Sequence, residues 1–184
     1  MITLLDPVSY RSTPWKNGRG TTVDIAYSGE SWRFGRTPIL EPGPFSDYTG
    51  FDRVQSLVAG SGLVLQTPSG EIDVRQPFRP VRFAGELPIV SRLEAGPVEV
   101  VNLIGARAEV AIDMAVLDES QTLNLQPGTH IAYNPRGDAL VAVQGSERPL
   151  GPDYALRLQL TGPLRLTGLA GCLLVASIVP ASST

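Results

Sequence analysis

Val54-Gln-Ser-Leu-Val-Ala-Gly-Ser-Gly-Leu-Val-Leu-Gln-Thr67 gathers β-favouring aliphatics on both sides of Gly60-Ser-Gly62. Such a run, broken by a glycine pair, predicts two strands and a tight loop. The turn Pro68-Ser-Gly70 follows, and after it Ile72, Val74, Phe78, Val81 and Phe83 continue the strand pattern. Further on, Glu99 to Leu117 is rich in Val, Ile and Ala and is read as a buried strand pair broken near Gly105. Leucines alternate with polar residues in Thr122-Leu-Asn-Leu-Gln126, in Leu156-Arg-Leu-Gln-Leu160 and in Leu164-Arg-Leu166, with Gly162-Pro163 between the last two. Alternation of period two is the signature of half-buried strands. No segment of a dozen residues holds a capped 3.6-residue period, so the chain is predicted to be all-β.

Composition agrees. Of 184 residues, 19 are Gly and 16 are Pro, yet 42% are hydrophobic, so these breakers punctuate short elements rather than signalling disorder. A chain of this length buries roughly 70% of its unfolded surface. The 18 acidic and 15 basic side chains leave a net charge of -3, without the Lys/Arg excess that nucleic-acid or anionic-membrane binding requires. The longest apolar run, 173–179, is far short of the ~20 residues of a membrane helix, and the amino terminus carries no signal pattern, so the expected location is cytoplasmic. One cysteine, Cys172, makes no internal disulfide, and one histidine, His130, builds no multi-histidine metal site. A faint internal echo relates Leu57-Val-Ala-Gly60 and Arg82-Phe-Ala-Gly85 to Val141-Ala-Val-Gln-Gly145 and Leu166-Thr-Gly168, as a duplicated barrel unit would.

The densest candidate for chemistry is Pro14-Trp-Lys-Asn-Gly-Arg-Gly-Thr-Thr22, which holds the only lysine of the chain. Its glycines allow close backbone approach beside Lys16 and Asn17, as an anion or carbonyl site requires. A surface turn plugged by Trp15 explains the same residues. In Ser31-Trp-Arg-Phe-Gly-Arg-Thr37, a strand places Arg33, Gly35 and Thr37 on one face, where the small residues leave room, or else leaves Arg33 solvated. Arg53 enters the strand that begins the first run; it is placed either to fork onto a carboxylate ligand or to pair with Asp52 or Asp47. His130 sits in Pro127-Gly-Thr-His-Ile-Ala-Tyr-Asn134, a spacing that resembles the second metal motif of cupin barrels, but the H-x-H of the first motif is absent. Cys172, in an apolar context, reads as a core residue and not a nucleophile.

Trp15-Lys-Asn-Gly-Arg-Gly-Thr-Thr22 with Asp24-Ile25 resembles the W-K-N-G-G-G-T-T-x-[ED]-I opening of the HutD/Ves family. Trp32-Arg33, Gly43-Pro-Phe-Ser46 and Gly50-Phe-Asp-Arg53 fall where that family has W-R, G-P-F-S and G-x-[DE]-R, and Val101-Asn-Leu-Ile-Gly-Ala-Arg107 is similar to its N-x-[MI]-x-x-R segment. Arg19 replaces the middle glycine, and Phe34-Gly-Arg-Thr-Pro38 departs from a more regular strand. The resemblance implies a cupin-like β-barrel or sandwich without metal or cofactor: one bicupin-like domain over 1–184, with barrel halves near 1–110 and 111–184. HutD members accompany histidine-degradation genes and are thought to govern flux by binding an intermediate such as formylglutamate, formiminoglutamate or urocanate; Ves members are linked to cold and stress.

On these motifs the expected site binds a small anionic metabolite, with Lys16, Arg33 and Arg53 as charge partners and Asn17 and Thr22 as orienting hydrogen-bonders. No metal, nucleic acid or membrane is expected as partner, and a homodimer is left open. Two alternatives stand beside this reading. One is a metal-independent isomerase, lyase or amidohydrolase-like enzyme using Lys16 or His130 as general acid/base; the other is a protein-interaction module whose glycine-rich loop is recognised by a pathway enzyme.

Overall fold

Strand alternation and glycine turns account for nearly the whole chain in the computed structural model, which describes residues 1–15, 18 and 20–181. Strand β1 (Ile2–Leu5) is followed by a 3-10 turn at Pro7–Ser9, whose first free N–H, from Val8, is capped by Asp6 at 2.9 Å. The backbone then divides into two compact units: Arg11–Val110, and Met1–Tyr10 together with Ala111–Thr184. The halves expected at 1–110 and 111–184 therefore need one adjustment. Residues 1–10 join the carboxy-terminal unit because β1 pairs with a strand of that unit, Ile2 opposite Leu158 through Leu5 opposite Ala155.

The Arg11–Val110 unit contains β2 (Arg11–Pro14), β3 (Thr21–Ser28), β4 (Trp32–Ile39), β5 (Gly43–Pro44), β6 (Phe51–Ala59), β7 (Leu63–Thr67), β8 (Gly70–Val74), β9 (Val81–Ala84), β10 (Val90–Leu93) and β11 (Val98–Ala106). They form a six-stranded sheet ordered β2-β3-β4-β11-β6-β9 and a four-stranded sheet ordered β5-β10-β7-β8. The stretch 54–67 is the β6–β7 pair, and its turn glycines, Gly60 and Gly62, have φ of +95° and +107°, a region glycine enters at little cost. Leu57, Leu63, Leu65, Val74 and Val100 fill the unit's apolar core.

The other unit adds β12 (Val110–Leu117), β13 (Thr122–Leu125), β14 (Gly128–Tyr133), β15 (Ala139–Val143), β16 (Ser146–Leu150), β17 (Ala155–Leu160), β18 (Leu164–Ala170) and β19 (Leu173–Pro180). Its sheets run β1-β17-β14-β19-β12 and β13-β18-β15-β16. The two orders superimpose strand for strand: β4-β11-β6-β9 on β12-β19-β14-β17, and β5-β10-β7-β8 on β13-β18-β15-β16. The protein is thus all-β with two cupin-like barrels in one chain. The repeat is not in the register that the sequence echo implied: Leu57 lies on β6, whose counterpart is β14, whereas Val141 lies on β15, whose counterpart is β7. Glycine turns recur in any β sequence, so the echo matched turn chemistry rather than equivalent strands. Strands β2 and β3 have no counterpart in the second barrel, and they help to build the site.

Candidate functional site

Trp15 and Gly20 close the β2–β3 hairpin. Trp15 N–H donates to Gly20 O at 2.8 Å, Gly18 N–H donates to Trp15 O at 3.0 Å, and Gly18 has φ +71°. A Cβ on Gly20 would lie 2.9 Å from the Trp15 ring, so the glycine lets the indole lie against the hairpin backbone. Trp15 Nε1 then donates to Thr22 Oγ1 at 3.1 Å. Lys16 and Asn17, expected in the site, lie outside the described residues.

Strand register sets what lies beneath the indole. Asp24 is opposite Gly35, Gly35 is opposite Asn102, and Asn102 is opposite Gln55, while Arg33, Ile104 and Arg53 form the neighbouring row. Because side chains alternate, both rows face the barrel interior. Gly35 makes the hollow: a Cβ there would come within 2.6 Å of Thr22 Cγ2 and 2.7 Å of Val23 O. The result is a cavity of about 60 Å³ whose walls include Trp15, Thr22, Arg33, Thr37, Tyr48, Arg53 and Asn102. That volume suits roughly four to six water-sized groups at about 10–15 Å³ each. A wider hollow of about 240 Å³ shares Trp15, Ile39, Pro44 and Phe45 with it.

Of the five expected site residues, the structure brings Thr22, Arg33 and Arg53 to this cavity, with different commitments. Arg33 donates from Nε and NH2 to Asp24 Oδ1 at 3.1 and 2.6 Å. Asp24 is 2% exposed and also accepts from Thr13 Oγ1 at 2.5 Å, so it is a buried counter-ion that holds β2, β3 and β4 together. The expectation of two arginines equally open to a ligand is corrected: Arg33 already has a carboxylate. Thr22 Oγ1 accepts from Trp15 and shares a hydrogen with Thr37 Oγ1 at 2.8 Å. Two hydroxyls need only one proton for that bond, which leaves the other O–H for the cavity.

Arg53 is 7% exposed. Its NH2 donates to Asn102 Oδ1 at 3.1 Å, its Nε has no partner, and no carboxylate among the described residues pairs with it. Of the sequence alternatives, Asp52 is engaged by Arg107 Nε at 2.8 Å and Asp47 accepts from Thr49 Oγ1 at 2.8 Å. The rings of Phe45, Tyr48 and Phe83 surround the guanidinium at 5.1, 5.5 and 5.0 Å. Burial pushes its pKa down to about 10; the Tyr48 hydroxyl opposes this shift and Arg33 reinforces it, so the group still carries its charge at neutral pH.

Sequence reasoning assigned no role to Asp24, Asn102 or the aromatic collar. Asp24 and Asn102 do stand within quoted motifs, and that was the available signal. Arg107, in the same motif as Asn102, clamps Glu86 through NH1 and NH2 at 3.0 and 3.1 Å and donates to Phe51 O and Asp52 Oδ1 at the start of β6 at 3.0 and 2.8 Å.

His130 belongs to the other unit. Its Nε2 donates to Gln126 O at 2.8 Å and its Nδ1 accepts from Ser177 Oγ at 2.8 Å, so both ring nitrogens are in use, and burial lowers its pKa. Asn134, the last residue of the cupin-like spacing, donates to Gly137 O, Leu150 O and Gly151 O at 2.8, 2.9 and 3.0 Å and ties down a turn. Among the described residues no three His, Cys, Asp or Glu side chains converge as metal ligands. Cys172 is half-buried, and burial followed by the Asp118 carboxylate pushes its thiol up to about 12, the reverse of what a nucleophile needs. Among the described residues no helix is long and apolar enough to cross a membrane.

The chain is similar to known proteins in sequence and in fold. A 21.2 kDa protein of the hutC 3' region of Pseudomonas putida, described as uncharacterized, is 29% identical over 165 residues, covering 86% of this chain and 87% of its own. The crystal structure of a conserved protein of unknown function from Pseudomonas aeruginosa PAO1 matches with a TM-score of 0.84 and 25% identity over 100% of both chains. HutD from Pseudomonas fluorescens SBW25, in a formate condition, matches with a TM-score of 0.83 and 24% identity over 99% of this chain and 100% of its own. The HutD family profile spans residues 8–174, and with Trp15 and Thr22 of its opening motif lining the cavity, the chain belongs to the HutD family.

Proposed function

We infer that this HutD-family protein binds the carboxylate of a small metabolite in the cavity of the Arg11–Val110 barrel. The observation that carries this reading is Arg53, a buried guanidinium without a carboxylate among the described residues. An unpaired buried charge is costly, and an anion entering the cavity supplies the missing partner. Asp24 already meets the charge of Arg33, whereas the charge of Arg53 is left for the carboxylate of the ligand. Charge-assisted hydrogen bonds to such a ligand contribute about 1.5–3 kcal/mol each. The spare Thr22/Thr37 hydroxyl hydrogen orients it, and Lys16 and Asn17 are proposed to complete the set.

The volume accommodates the head of a ligand, and the neighbouring hollow gives its remainder a place. Formylglutamate, formiminoglutamate and urocanate each carry such a head, and binding one of them would couple the protein to the flux of histidine utilisation. The hutC neighbourhood of the Pseudomonas putida relative supports that link. Calorimetry with these three compounds and with simple mono- and dicarboxylates tests the proposal. Binding by at least one, lost in Arg53→Met, is the expected result, and silence across the panel sinks it. If Lys16 meets the carboxylate as a compact ammonium, Lys16→Arg weakens binding although the charge is kept.

A further inference from the structure

We propose that Asn102 is a further ligand-binding residue of this cavity, presenting the N–H donors of its carboxamide to a carboxylate oxygen of the ligand. The inference rests on the carboxylate reading above. Asn102 lies on β11, is 6% exposed, and lines the cavity together with Thr22, Thr37 and Arg53. Its Oδ1 accepts from Arg53 NH2 at 3.1 Å, whereas its Nδ2 makes no hydrogen bond to any described residue. A carboxamide buried this deeply with its donor end unused calls for a partner.

Chemistry fixes which end of the amide is free. A guanidinium has N–H donors and no acceptor, so only the oxygen of Asn102 can face Arg53; exchanging the two ends would set donor against donor. Strand register then says what could meet the NH2 end. Gln55 stands directly opposite Asn102 on β6, but its Oε1 has no partner, so the Asn102 donors are not spent there. Gly35 stands opposite on β4 and has no side chain, and its missing Cβ is what opens the hollow on that side. With the Asn102 oxygen committed, Arg53 and Asn102 offer the cavity N–H donors alone. A carboxylate head has only acceptors and matches them, whereas a carboxamide head would bring an NH2 of its own. Arg53 thereby does two things: it supplies the charge, and it turns the Asn102 donors toward the ligand.

Acetate is the probe. In NMR titrations of the wild-type chain, the side-chain amide pair of Asn102, assigned by its absence from Asn102→Asp, should move downfield and saturate together with the Trp15 indole N–H. A crystal soaked with acetate should place a carboxylate oxygen within about 3.2 Å of Asn102 Nδ2. Asn102→Asp keeps the shape and the acceptor for Arg53 but replaces the NH2 donors by a second carboxylate oxygen. It should melt at or above the wild-type temperature, because Arg53 gains a counter-ion, and lose acetate binding. Acetate that saturates the Trp15 signal while the amide pair stays still, or that lies beyond about 4 Å from Nδ2, overturns the role of Asn102 and leaves the carboxylate reading intact. Wild-type acetate affinity in Asn102→Asp does the same, as does a several-degree lower melt, which would show the NH2 end bonded within the protein. Wild type that binds no acetate overturns the carboxylate reading, and the Asn102 assignment falls with it.

Discussion

Arg53 donates to Asn102 Oδ1 at 3.1 Å and to no carboxylate among the described residues, so a neutral amide stands where a buried cation would ordinarily find its counter-ion. Such an arrangement gives up stability of the free protein in favour of anion binding. Arg53→Met, which keeps an apolar stem against Phe45, Tyr48 and Phe83, is expected to raise the unfolding free energy by about 1–3 kcal/mol, because the desolvation penalty of the charge disappears. At this chain length that is a rise in Tm of roughly 2–4 °C per kcal/mol, measured by calorimetry without ligand. A lower Tm would show that the cation is satisfied in the free protein.

Asp24 and Arg33 make the opposite case. Asp24→Asn should destabilise by about 2–4 kcal/mol, somewhat under the cost of breaking a fully buried pair, since the Arg33 side chain keeps 26% exposure. The loss should shrink when Arg33 is also replaced by Met. Urea unfolding of the four proteins of the cycle measures the coupling, and additive losses would mean that Asp24 acts through Thr13 and Arg11 instead.

Gly35→Ala tests the origin of the hollow. Its Cβ would fall 2.6 Å from Thr22 Cγ2 and 2.7 Å from the Val23 carbonyl, and the latter is backbone that cannot rotate away. We expect a loss of about 1–3 kcal/mol and weaker ligand binding, both read from melts with and without ligand.

His130 predicts a pH dependence. Its pKa in the folded protein lies below the ordinary 6.5 because burial penalises the imidazolium. As pH falls below about 6.5 the unfolded chain therefore binds a proton before the folded one does, and stability declines through that window until the folded imidazole also titrates. In urea unfolding between pH 7.5 and 5, the stability advantage of wild type over His130→Gln should narrow as pH falls; a constant gap would contradict the assignment.

Cys172 should resist alkylation. With its thiol pushed up to about 12, iodoacetamide at pH 8 should modify it on the order of a thousandfold more slowly than a free cysteine, and urea should restore the normal rate. Mass spectrometry of a time course decides the matter.

Much of the molecule was legible in the chain. Alternation named the strands at 54–67, 122–126 and 156–166, and the mixed stretch 99–117 proved to be β11 and β12. The motif residues Trp15, Thr22, Arg33 and Arg53 all meet at one cavity. The order of the duplication was not legible, because the glycine-rich echo compared turns of unlike strands. The commitment of each arginine was hidden as well, since local sequence offers Arg53 two near carboxylates and the structure gives it neither.

What the sequence alone determines here are properties of single segments: which stretches alternate as strands, which glycine turns break them, and that metal chemistry lacks its histidines. Those follow from side-chain period and from the backbone freedom of individual residues, which are local. Only the tertiary structure decides that Asp24 takes Arg33, that Asn102 and Gln55 stand beside Arg53, and that Gly35 leaves the gap between them. These relations depend on which strands pair and in what register, including the irregularity between Asp24 and Ala26 in the β3–β4 ladder. A shift of one residue would turn every one of these side chains to the opposite face, and register is set by the packing of the whole barrel rather than by any strand within it.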